Sequence, residues 1–256
     1  MKYYAYVFMM VLSLTLSFSV AGQQILRTSY YSQNIPPQLF LDAQGRPTSG
    51  ILFDITHAIA DKTNAKLEML PIPRKRIEQS LIRNIVDMHC AANKKWYKRA
   101  NLQWSEVLYN NPDILINNIG LTKITDLAKY KNIEVGTSLG YIYPELTPYI
   151  SNKNIIPVTS LSPGDSYKKY RKHKLAGFII PEIEASYLSK EPSDAVIILN
   201  ENEIRCAFSP SMKRKQVKLI NTIILDLKSS GQIDAILSKY NNRPKVLAQD
   251  RSIAVE

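Results

Sequence analysis

Apolar positions along the chain switch repeatedly between a period of two and a period near 3.6, the spacings of strands and of amphipathic helices. "QILRTSYYS" alternates as a strand. "QNIPPQLFLDAQGRPTSG" reads as loop, with a turn at Gln44–Pro47. Ile51, Phe53, Ile55, Ala58 and Ile59 then recur at helical spacing, and Asn64 closes that helix. "AKLEMLPI" is a strand, "RKRIEQSLIRN" a short helix with Ile77, Leu81 and Ile82 on one face, and "IVDMHCAAN" a strand. Successive βα units of this kind predict a mainly parallel sheet covered by helices, with ligands at the carboxyl ends of its strands. The stretch "MHCAANKKWYKRANLQWS" at 88–105, rich in cations and aromatics, therefore falls in ligand territory.

The second half repeats the pattern. "SEVLYNNPDILINN" is extended, "KITDLAKY" a short helix, "IEVGT" a strand, and the chain turns through Gly140. "IIPVTS", "PGDSYKKYRKH", "LAGFIIPE" and "IEASYLS" read as strand, helix, strand, helix. "AVIILNENEIRCAFSPS" is extended, and a long amphipathic helix broken at Gly231 follows. The result is two βα sets of similar size with a C-terminal helical hairpin.

Composition adds two facts to this picture. The formal charge is +11, from 33 Lys and Arg against 22 Asp and Glu, but the cations are scattered and no nucleic-acid-binding motif accompanies them. The N-terminus, "MKYYAYVFMMVLSLTLSFSVAGQQ", has a lysine, an apolar run and small residues before a cleavage point after Ala21. It predicts a signal peptide over 1–21 and an exported protein. No cysteine follows the run, which argues against a lipid anchor. In an exported chain Cys90 and Cys206 are either bridged or two buried free thiols. His57, His89 and His173 are widely spaced, so no metal site or cofactor is expected.

Four blocks in order carry a family resemblance: "GILFDITHAIADKTNAKLEMLPI", "SLIRNIVDMHCAANKKWYKRANLQWSEVLY", "ITDLAKYKNIEVGTSLGY" and "INTIILDLKSSGQIDAILSKY". Together they resemble the periplasmic solute-binding proteins of the polar amino acid class. The resemblance implies the type II periplasmic binding fold, an α/β clamp of two lobes. The first would be discontinuous, 22–113 with 201–256, and the second would be 114–200. Hinges would lie near Pro112–Asn117 and Leu199–Glu203. It implies a receptor that closes around a small polar, amino-acid-like ligand and presents it, as a monomer, to a membrane permease or sensor.

The same resemblance implies the site. Arg99 takes the position of the family's carboxylate-binding arginine, whose two parallel donors fit a carboxylate. Ala91, Ala92 and Asn93 allow close backbone approach. Thr137, Ser138 and Gly140 form the loop that meets the same anion, and Glu182 receives the ligand's ammonium. Tyr31, Arg74 and Trp96 complete the lining. It also implies a Cys90–Cys206 disulfide, because the two strands are neighbours in the family fold. The chain departs from the family at Lys94, Lys98, Ser29 and Pro181. A cleft holding Arg74, Arg76, Lys94 and Arg99 would suit a more anionic ligand than a plain amino acid.

Plainer readings stand beside these. Arg74 and Arg76 could form a solvated helix face, Trp96 could pack on a lobe surface, and Glu182 could pair with a lysine. The alternative function is a dehydratase on the same scaffold, with Glu182 as general acid, or a ligand-sensing partner of a signalling protein.

Overall fold

The computed structural model describes residues 23–240 apart from 34, 99–100 and 189–193. The signal peptide lies outside the described residues. The chain runs through β1 (Ile25–Tyr30), β2 (Phe40–Leu41), β3 (Pro47–Ser49), α1 (Ile51–Lys62), β4 (Lys66–Pro71), α2 (Ile77–Ile82), β5 (Met88–Ala92), β6 (Gln103–Trp104) and β7 (Tyr109–Asn110). It continues through β8 (Asp113–Asn117), β9 (Ile133–Ser138), α3 (Thr147–Ser151), β10 (Ile155–Ser160), α4 (Pro163–Arg171), β11 (Gly177–Pro181), α5 (Glu182–Ala185) and β12 (Ala195–Ile198). It ends with β13 (Glu203–Phe208), α6 (Arg214–Ser229) and α7 (Gln232–Lys239).

These strands form two main sheets, ordered β4-β1-β5-β13-β6, with β7 also on β13, and β10-β9-β11-β8-β12. Each sheet mixes parallel and antiparallel pairings. The parallel strands are those joined by helices, β1 with β4 and β5, and β9 with β10 and β11. The antiparallel ones, β8, β12 and β13, lie next to the passages between sheets. The chain passes to the second sheet at 111–112 and returns at 199–202. Asp113–Asn117, directly after the first passage, is a fully buried strand.

Burial explains why each half holds together. The apolar stripe of α1, Ile51, Leu52, Ile55 and Ile59, packs in one cluster with Ile220, Ile223, Ile224 and Leu227 of α6. A fully buried side chain of this size contributes about 1.5–3 kcal/mol. In the second sheet the period of two sends Leu115 and Ile179 into one cluster, and Ile114, Ile116, Phe178 and Ile180 into another. β8 and β11 are thus covered on both faces, which accounts for their near-continuous apolar sequences.

The stretch read as loop before α1 contains the small β2–β3 hairpin. It ends at Gly50, whose φ of 122° is closed to side-chain-bearing residues. A Cβ there would sit 2.6 Å from the Gln38 carbonyl oxygen. The Gly50 N–H donates to Tyr240 Oη at 2.9 Å, and that hydroxyl donates to Asp54 at 3.0 Å, so the end of α7 is tied to the start of α1. Cys90 of β5 and Cys206 of β13 form a disulfide across adjacent strands, closing a separation of 116 residues.

Candidate functional site between the two sheets

Several of the residues facing one another across the passages leave carboxyl ends of parallel strands. Tyr31 follows β1, Arg74 lies in the 3-10 turn after β4, and Ala91 and Trp96 lie at or just past the end of β5. From the second sheet, Gly140 and Tyr141 follow β9, and Pro181 and Glu184 stand at or after the end of β11.

Arg74 is the centre of this arrangement. Its Cζ lies 4.1 Å from the centroid of the Tyr31 ring and 4.0 Å from that of Tyr141, so the guanidinium is held between one ring from each sheet. Its Nη2 donates to Tyr141 Oη at 2.9 Å. Gly140 lets the turn approach: a Cβ there would already touch Arg74 Cδ at 3.4 Å. Tyr31 is propped from behind. Its hydroxyl donates to the Ala91 carbonyl at 3.1 Å and meets His89 Nε2 at 3.1 Å, while His89 Nδ1 meets Ser29 Oγ at 2.9 Å. Burial pushes His89 down to about 4, so the ring is neutral at physiological pH.

The clamp of Tyr31, Arg74 and Tyr141, together with Trp96, separates two chambers and lines both. The inner one, about 30 Å³, has room for a water or two. Its lining includes Gln38, Tyr109, Asn111, Asp113, Glu184 and Asn202. Glu184 is buried and accepts from Asn111 Nδ2 at 3.1 Å. Burial pushes its carboxyl up to about 7, more than offsetting that hydrogen bond, and nearby Asp113 adds to the rise. Burial raises Asp113 as well. Asn200 and Asn202 donate to Asp113 Oδ2 at 3.1 and 2.8 Å, tying the two passages together. The outer chamber, about 470 Å³, has Lys75, Ile77, Glu78, Tyr97, Lys98, Gly140 and Ile142 as its further lining.

Of the residues expected from sequence, Tyr31, Arg74, Ala91, Trp96 and Gly140 come together here. Arg99 lies outside the described residues. Ala92 is buried in the cluster that packs α2. Asn93 caps the turn after β5, accepting from the Lys95 N–H at 2.8 Å. Thr137 and Ser138 are buried within the second sheet. Thr137 pairs with Thr159, and the Ser138 N–H donates to Tyr143 Oη at 3.3 Å. Glu182 is in neither lining; it is half-buried, and its N–H donates to the Pro112 carbonyl at 2.8 Å. The acid that faces the inner chamber is Glu184, two residues on. Asn111, Asp113, Asn202, Glu184 and Tyr141 were not singled out by sequence. The polar runs "NNPD" and "NEN" at the two passages were the available signal for the first three.

The model of the family described as bacterial extracellular solute-binding proteins, family 3, matches residues 28–243. The chain belongs to this family. Comparison with curated proteins returns no match. Among solved structures, this family 3 protein is similar to the substrate-binding protein of an amino acid ABC transporter, with a TM-score of 0.67 and 20% identity over 86% of this chain and all of that one. An ancestral arginine-binding protein bound to arginine gives a TM-score of 0.68 and 18% identity over 85% of this chain and 98% of that one. An arginine-specific periplasmic binding protein of Salmonella typhimurium gives 0.65 and 16% over 85% and 99%. At these identities the likeness establishes the two-lobed α/β fold.

Proposed function

We propose that this family 3 solute-binding protein is a periplasmic receptor, cleaved near Ala21, that closes as a monomer around a small amino-acid-like ligand and presents it to a membrane transporter or sensor. The observation that carries this reading is the Tyr31–Arg74–Tyr141 clamp, in which side chains from both sheets meet beside a chamber of small-molecule size. The lobes would be 22–113 with 201–256, and 114–200, hinged at the two passages. Closure by hinge bending requires only that a few residues between lobes absorb the motion. Arg99 directly follows Lys98, which lines the outer chamber, and is our proposed carboxylate donor. The test is a thermal-shift screen of ligand-stripped mature protein against amino acids, amines, short peptides and dicarboxylates. A ligand at a hundred times its Kd adds about 2.7 kcal/mol. No shift across the panel would refute the receptor reading.

A further inference from the structure

We propose that the guanidinium of Arg74 is a resident cation filling the aromatic clamp between the lobes, and that it makes the outer chamber selective for small dicarboxylate ligands over cationic amino acids. This deepens the receptor reading above and rests on it. A planar guanidinium stacked between two aromatic faces is a favourable way for such a cation to be held. Here the chain supplies that cation itself, 4.1 and 4.0 Å from the two ring centroids. A ligand bringing its own guanidinium or ammonium meets a clamp already taken and a like charge beside it.

The surrounding charges point the same way. Arg74, Lys75 and Lys98 line the outer chamber, against Glu78 as its carboxylate. Glu184, the acid that would welcome a ligand cation, lines the inner chamber on the other side of the clamp. Arg74 forms no ion pair among the described residues, and its hydrogen bond to Tyr141 engages one donor of five. The other donors of a planar fork suit a carboxylate. The chamber's volume of about 470 Å³ accommodates a molecule the size of glutamate or succinate.

Calorimetric titration of the mature protein at low salt, with glutamate, succinate, glutamine and arginine, tests the ligand class. The expected result is a dicarboxylate bound at least tenfold more tightly than arginine, with at least a tenfold loss in Arg74→Ala. Methylguanidinium chloride at millimolar concentration should raise the melting temperature of Arg74→Ala saturably, and ammonium chloride at equal ionic strength should not. If Arg74→Ala fails to fold, Arg74→Lys, which keeps the charge without the planar fork, carries the same titration. Arginine binding as tightly as glutamate would overturn the selectivity and leave the receptor reading standing. Methylguanidinium without effect would overturn the clamp. Silence from every ligand would overturn the receptor reading and the ligand class together.

Discussion

Glu184 offers a pH test that needs no ligand. Its carboxyl is buried, held by one amide of Asn111, and faces Asp113 and Arg74 across the inner chamber. Its ordinary value of 4.5 rises to about 7 in the fold. Between those values the folded protein keeps a proton that the unfolded chain has released. Stability therefore falls as pH rises through this window. At about 1.4 kcal/mol per pH unit the loss between pH 4.5 and 8 comes to about 3 kcal/mol. For a chain of this size that is a melting-temperature difference of roughly 6–12 °C. Glu184→Gln keeps the shape and the oxygen that accepts from Asn111, and removes the titration. Melting curves of ligand-free wild type and Glu184→Gln, taken at half-unit steps from pH 4.5 to 8, isolate this group, because Asp113 and Arg74 remain in both. The variant should match the wild type near pH 4.5, gain on it progressively up to about pH 7, and hold a constant lead from there to pH 8. Parallel curves across the range would show that Glu184 ionises normally and that its burial is relieved by contacts the fold does not reveal.

Other substitutions test the frame. Losing the Cys90–Cys206 bridge in a double Cys→Ser variant should cost about 4–5 kcal/mol on chain-entropy grounds, since it closes a separation of 116 residues; urea midpoints with and without reductant measure it. Gly50→Ala should cost about 2 kcal/mol or more by calorimetry, because the new Cβ meets the Gln38 carbonyl at 2.6 Å in a backbone conformation it disfavours; an unchanged melting temperature would sink the argument. Tyr141→Phe should lose about 1.5 kcal/mol with the Arg74 hydrogen bond, and Tyr141→Ala about 1 kcal/mol more with the ring, in denaturant titrations of the ligand-free protein.

The strands and helices were legible because most carry one period cleanly: α1 buries Ile51, Ile55 and Ile59 at the predicted spacing, and β8 and β11 show the apolar runs of strands covered on both faces. The β2–β3 hairpin was missed because its strands are two and three residues long, too short to show a period. The site was legible only in part. Tyr31, Arg74, Ala91, Trp96 and Gly140 sit at strand ends, where βα geometry directs attention. Asp113, Asn111 and Asn202 lie in two polar runs, but the Asp113–Asn202 bond spans 89 residues, and neither run alone says that it meets the other. Glu184 differs from Glu182 by two positions in a short helix, so one side chain is buried at the chamber and the other only half-buried.

The two passages also set how the molecule can be divided. Asn110 and Glu203 are register partners on adjacent strands, and the Leu199 N–H donates to the Asp113 carbonyl at 2.8 Å. The whole 113–199 segment therefore begins and ends at one point on the surface of its host. A single tight turn from Asn110 to Glu203 would leave the first sheet continuous, and the excised segment would carry neighbouring termini. One wall of the outer chamber, Gly140, Tyr141 and Ile142, is thus part of a cassette: exchanging 113–199 for another segment of the same footprint would replace that wall without disturbing the sheet, the bridge or the helical hairpin that receive it.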